Sequence, residues 1–198
     1  MALILTNADI IQTLEMLADQ ILKAEDGTTS TIKSEQLISI SDIEGYIVVF
    51  LNGELNGINS SILSVDGEAE TVTLDDVLPY QVTRTTKFAI LETGYLSFVT
   101  RAEAIITSAF RNKGIDINLF LNDAQLKELH IYKTIELICL SKRRDATDED
   151  VYHSNYESFK SLYNLEFANL AADYDANENG VIDEDEELTQ IGQVSFFK

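Results

Sequence analysis

Cysteine and proline each occur once in this chain of 198 residues. A single cysteine, Cys139, excludes an intrachain disulfide and any zinc site built on cysteine pairs. Its setting in IELICL marks it as a small buried hydrophobe rather than a reactive thiol, and a reducing, intracellular setting fits. No apolar run approaches the ~18 residues that a membrane helix needs, so no membrane partner is expected. The opening stretch MALILTNADIIQ has no basic region ahead of its apolar residues and reads as no signal peptide. Histidine occurs twice, at His130 and His153, each in a helical context where a structural role suffices. The motifs G-x-S-x-G, G-x-G-x-x-G, H-E-x-x-H and the phosphate-binding P-loop do not occur, and the expectation is that the chain is not an enzyme. Bases are scarce: 14 Lys and Arg stand against 34 Asp and Glu, a net charge of −20. Gripping nucleic acid takes clustered cations. The one cluster, Lys142-Arg143-Arg144, falls at an expected helix C-terminus, where it complements the helix dipole. Repulsion of nucleic acid fits this balance better than binding.

Enough is present for a packed core, since 45% of residues are hydrophobic and the mean hydropathy is −0.03. The charge is uneven. Residues 145–198 carry 14 acids and two bases, and residues 1–144 carry 20 acids and 12 bases. Ile10, Ile11, Leu14, Ala18, Ile21 and Leu22 recur at helical spacing, which predicts a helix over Asn7–Ala24 stopped at Gly27. Residues 28–40 read as a polar loop. Ser41 and Glu44 form a possible capping box, yet YIVVF is β-branched and aromatic, so 43–51 is left as strand or helix. SILSV, Asp66-Gly67 and AETVTL predict a hairpin with a type I′ turn. From Asp75 onward the pattern reads as helical, with Pro79 in a first turn, Gly94 near a break and Gly114 as terminator. Asn122 or Asp123 is expected to cap a helix whose Leu126, Leu129, Tyr132, Ile135, Ile138 and Cys139 share a face. After an acidic loop, capped at Thr147 or Asp148, Tyr152, Tyr156, Phe159, Tyr163, Phe167 and Leu170 step along a last long helix as an aromatic stripe of about 30 Å. The short connection predicts an antiparallel helix hairpin.

The predicted fold is thus mainly α with a small β region: an antiparallel helix bundle with a β-hairpin insertion near residues 46–74 and an extended C-terminal tail. Four segments follow: 1–40, an N-terminal helix and loop; 41–74, β-rich; 75–172, the helical bundle; and 173–198, a calcium-loop-like segment with the tail.

DANENGVIDEDE, from Asp175 to Glu186, matches a calcium loop position by position. Asp175, Asn177 and Asn179 offer oxygens at alternating residues, and Gly180 permits the sharp turn. Val181 presents its carbonyl, Asp183 can bind through water, and Glu186 can close the shell with two oxygens. The same residues also suit Asx-turns at Asn177 and Asn179 ahead of an acidic helix start. With no second loop in the chain, Ca2+ binding is expected to be modest, ~10⁻⁵–10⁻³ M. Such a site serves better as a clip that sets the tail's direction than as a switch.

Leu78–Lys198 resembles the head–tail connector (adaptor) proteins of tailed bacteriophages. The likeness lies in the order TRAEAIITSAFRNKG, LNDAQLKELHIYKTIELICL, VYHSNYESFKSLYNLEFANL, the Asp/Asn/Gly loop, and the apolar tail QVSFFK. Residues 1–74 have no counterpart in it. The resemblance implies a mostly helical virion protein of the neck, made in the host cytoplasm. It implies a homo-oligomeric ring, a dodecamer, that joins the portal protein to a tail or stopper protein. DNA would pass through without specific binding, and no catalytic residue is implied. Val194, Phe196, Phe197 and Lys198 form a tail suited to docking on another subunit. The alternative is a calcium-binding interaction module with a single EF-hand-like loop.

Overall fold

The structure, a computed structural model, describes residues 5–18, 20–39, 42–120, 124–143, 150–172, 175, 179, 181 and 189–190. The chain divides into two compact units, Thr6–Leu96 and Ser97–Lys198, the latter joined by Met1–Leu5.

The first unit corrects the expected fold. It is a seven-stranded antiparallel sheet, not a small β insertion in a helix bundle. The strands are β1 (Gln20–Lys23), β2 (Asp26–Gly27), β3 (Thr31–Lys33), β4 (Ile47–Phe50), β5 (Asn59–Asp66), β6 (Thr71–Leu74) and β7 (Lys87–Leu91), in the order β1-β7-β4-β5-β6-β3-β2. The two ends of that order, β1 and β2, are consecutive parts of one stretch. Between them Ala24 N–H donates to Thr86 O at 2.9 Å, and Glu25 N–H donates to Lys33 O at 2.8 Å. Successive N–H groups of an extended chain point to opposite sides, so residues 20–27 have β7 on one side and β3 on the other. The sheet therefore closes on itself through this one stretch. Leu22, Ile32, Val48, Ile62, Val72 and Phe88, one from each strand except β2, meet in its core. At Gly27 an added Cβ would lie 2.5 Å from Thr31 O, so only glycine fits the turn from β2 to β3.

Only the first part of the expected N-terminal helix forms. Helix α1 spans Asn7–Thr13, held by a reciprocal box between Thr6 and Asp9. A short 3-10 turn, Glu15–Leu17, follows. Residues 20–24 then alternate as strand, with Leu22 and Ala24 buried and Ile21 and Lys23 exposed. Pairing with β7 overrides a helical spacing that six apolar residues matched by coincidence. The segment after Asp75 corrects the reading in the opposite way. KFAIL is the strand β7, not helix. Its neighbour β4 settles residues 43–51 as strand at Ile47–Phe50. Both strands are buried on two faces. Val48, Phe50, Phe88 and Ile90 point into the barrel, while Val49, Ala89 and Leu91 are buried on the outer side, where α1 packs against β4. A strand covered on both faces shows no alternation, so its period gives no signal.

The β5–β6 hairpin is present, but its turn is longer than type I′. Asp66 Oδ1 accepts from Glu68 N–H and Ala69 N–H, and Glu70 takes the left-handed conformation at φ 57°. The stretch expected to be a polar loop contains β3 and a 3-10 helix, Glu35–Ser39.

The second unit is helical, with α2 (Leu96–Asn112), α3 (Ala124–Lys142) and α4 (Val151–Asn169). Gly114 ends α2 as expected. At φ 78° it lets Ile115 N–H reach Phe110 O and its own N–H reach Arg111 O, the paired bonds of a Schellman cap. Asp150, two residues beyond the expected cap, accepts from Tyr152 N–H at 2.8 Å and starts α4. The expected caps of α3 and the Thr147–Asp148 positions lie outside the described residues. Ile106 and Phe110 of α2, Leu126 and Leu129 of α3, and Tyr163 of α4 share one core. A two-residue strand, β8 (Ala171–Ala172), follows α4 and pairs antiparallel with β9 (Thr189–Gln190).

Candidate functional site

The site resides on the α3–α4 hairpin and the loop at its far end. The two helices run antiparallel: Arg143 lies over Tyr156 at 4.9 Å, and ten residues back on α3 Lys133 lies over Tyr163 at 4.6 Å. Helix α3 is buried on more than the one expected face. His130, Thr134, Glu136 and Leu137 are buried along with Leu129, Ile135, Ile138 and Cys139. Several of its polar groups find partners, although His130 Nδ1 is buried without one. Thr134 Oγ1 donates to His130 O at 2.8 Å, and His130 Nε2 lies 3.0 Å from Val99 O. Lys133 Nζ meets the Glu136 carboxylate at 2.8 Å, both side chains nearly enclosed.

The aromatic stripe of α4 divides into two zones. Phe159 and Tyr163 are buried, while Tyr152, Tyr156 and Phe167 are half-exposed and roofed by cations. Lys142 covers Tyr152, Arg143 and Lys160 approach Tyr156, and Lys113 covers Phe167. Each half-exposed ring thus pairs its negative face with a cation, worth roughly 0.5–1 kcal/mol where exposed. Burial, with the Glu136 charge second, raises the Tyr163 phenol above its ordinary value. Burial also pushes the Cys139 thiol up to about 11, in keeping with a packing role.

Asp175 is only 3% exposed, and its N–H donates to Leu119 O at 3.1 Å. Its Oδ1 accepts from Asn179 N–H at 3.0 Å, and Asn179 Oδ1 accepts from Val181 N–H at 2.8 Å. These contacts link three of the expected calcium ligands, Asp175, Asn179 and Val181. The Asn179 contact is itself the Asx-turn that the sequence also allowed. Engaged in this way, the two side-chain oxygens keep lone pairs of the kind an oxygen-ligated cation uses, while among the described residues no group of three His, Cys, Asp or Glu gathers here. Asn177, Asp183 and Glu186 lie outside the described residues, as do Gly180 and the tail residues Val194, Phe196, Phe197 and Lys198. The β8–β9 pairing closes the base of this loop, an arrangement with no local sequence signal.

The outward face of α4 is a feature that sequence reasoning missed. It runs through Val151, Ser154, Ser158, Leu162, Leu165 and Asn169 and contains no charged residue. Val151 is 52%, Leu162 41% and Leu165 60% exposed. Glu157 and Glu166 border this face on opposite sides. In a chain of net charge −20, that neutral stripe is the signal a charge map of the helix would have found.

In the barrel unit, a surface cavity of about 560 Å³ is lined by charged groups, Lys23, Glu25, Glu35 and Arg84 among them. Comparison with protein-family models, curated proteins and solved structures finds no match.

Proposed function

We propose that the chain is a structural assembly protein, a ring-forming adaptor that joins a bacteriophage portal to its tail or stopper. The observation that carries this reading is the pairing of Ala171–Ala172 with Thr189–Gln190. It fixes where the chain leaves the loop, beside the C-terminal end of α4. An apolar segment that must reach another subunit gains from a defined point of departure, because less freedom is lost on docking. Composition supports the same reading. Residues 6–96 carry fifteen acids and four bases, and such a surface lets DNA slide past without adhering. The protein turns over no substrate; its work is to bind neighbours. Deleting its gene from the phage should leave filled heads and free tails, visible separately by electron microscopy. Fully joined particles without the chain would refute the proposal.

A second reading is favoured by the Asp175–Asn179–Val181 turn: a calcium-binding interaction module. Calorimetry with Ca2+ on the full chain tests it, alongside the double substitution Asp175→Ala, Glu186→Gln. Heat that saturates near millimolar Ca2+ and vanishes in the variant supports a metal clip. No heat leaves the loop as a hydrogen-bonded turn.

A further inference from the structure

We infer that the neutral face of α4 is a self-association surface and that its occupant is the outward face of α2 from a second copy. The inference rests on the ring-forming reading and supplies its subunit contact.

Charge complementarity selects the occupant. Two chains of net charge −20 repel unless they meet where acids are absent. Leu162 and Leu165 offer exposed apolar surface on a face free of charge, bordered by Glu157 and Glu166. The outward face of α2 is the complement. Ser97, Thr100, Ala104 and Ser108 are small and exposed, so a partner's leucines can approach the helix closely, and Arg101 and Arg111 are exposed beside them. The only acid of α2, Glu103, is half-buried and off this face. Among the described residues neither arginine has an ion-pair partner.

The spacings agree. Arg101 and Arg111 are about 15 Å apart along α2, and Glu157 and Glu166 about 14 Å apart along α4, at 1.5 Å per residue. Face to face, with the leucines over the small residues, one arginine lies on the same side as each glutamate whichever way the helices run. Glu157 already pairs with Lys160 at 3.6 Å, an exposed contact that contributes little and yields readily. Because two different surfaces meet, each copy binds one neighbour with α4 and another with α2. This head-to-tail contact closes into a ring when the rotation permits.

The test uses the full chain, followed by sedimentation velocity over a range of concentrations. Variant one is Glu157→Arg with Glu166→Arg, and variant two is Arg101→Glu with Arg111→Glu. Each alone should self-associate at least about tenfold more weakly than wild type. An equimolar mixture should recover association, since the reversed α4 of one then faces the reversed α2 of the other. Unchanged helical circular dichroism confirms that both variants fold, as expected where Arg101, Arg111 and Glu157 are exposed and Glu166 is half-buried at the border of the face. Leu165→Ser should also weaken association and should not be rescued by mixing. Wild-type affinity in either charge variant, failure of the mixture to recover, or a wild-type chain that stays monomeric throughout would overturn the inference. A chain found as a ring in the virion neck, but built through other surfaces, would refute this contact alone; a chain that is not a ring there refutes the reading beneath it.

Discussion

Ala171 pairs with Gln190, so the two ends of the loop that follows α4 are held side by side by an antiparallel bridge. Within that loop Asp175 organises the turn by accepting from Asn179 N–H.

Asp175→Asn keeps an oxygen acceptor, whereas Asp175→Ala removes it. Hydrogen exchange at the Asn179 amide should therefore quicken markedly in the alanine variant and little in the asparagine variant. The alanine change should also cost about 1–3 kcal/mol of helical-unit stability, because a donor loses its acceptor. Equal exchange in both variants would mean that this bond does not order the turn.

Two Lys–Glu pairs of the same i,i+3 spacing differ in burial on this hairpin. Lys133–Glu136 is nearly enclosed, and Lys160–Glu157 is open to solvent. Glu136→Ala leaves the largely enclosed Lys133 ammonium without its carboxylate and should cost roughly 3 kcal/mol. Glu157→Ala should cost at most about 1 kcal/mol. Urea denaturation of the two variants measures the difference, and similar midpoints would contradict the assigned burial.

The raised Cys139 and Tyr163 groups set an alkaline limit. A thiol ordinarily near 9.0 and held near 11 in the fold favours the folded chain fully below pH 9. That contribution falls away as pH rises through 11, by on the order of 2–3 kcal/mol for Cys139. Tyr163, also raised, acts in the same direction at its own higher range. Denaturation midpoints should therefore drop between pH 9 and 11, and Cys139→Ala should flatten part of that drop. At pH 8, a disulfide reagent should leave Cys139 unmodified in the folded chain and label it in urea.

How much of this was legible in sequence depended on whether the signal was local. The α3–α4 hairpin, the β5–β6 hairpin and the Gly114 terminator rest on neighbouring residues and were readable. Barrel closure was not, because it joins residues 20–27 to both 87–91 and 31–33, and no local pattern encodes pairing over such a separation. The doubly buried IVVF and KFAIL lost the alternation that would have marked them as strands. At the site, the Asp175, Asn179 and Val181 spacing was readable because its hydrogen bonds span two and four residues. The neutral stripe of α4 went unread because the aromatic stripe on its other side drew the helical pattern.

Removing Gly192–Lys198 should leave the melting of the monomer nearly unchanged while sharply reducing incorporation into particles, if those side chains make their contacts on a neighbour. If they instead pack on their own unit, the deletion should lower stability by up to ~2 kcal/mol for each buried phenylalanine lost. A truncated chain that melts as before and still assembles would reject both arrangements.

Cryo-electron microscopy of the native particle would show the ring and its subunit contacts themselves. The expected result is a closed ring of this chain directly beneath the portal, with α2 of each copy against α4 of the next and the residues after Gln190 reaching a neighbouring subunit. A neck without this chain, or with the chain bound as isolated monomers, would contradict it.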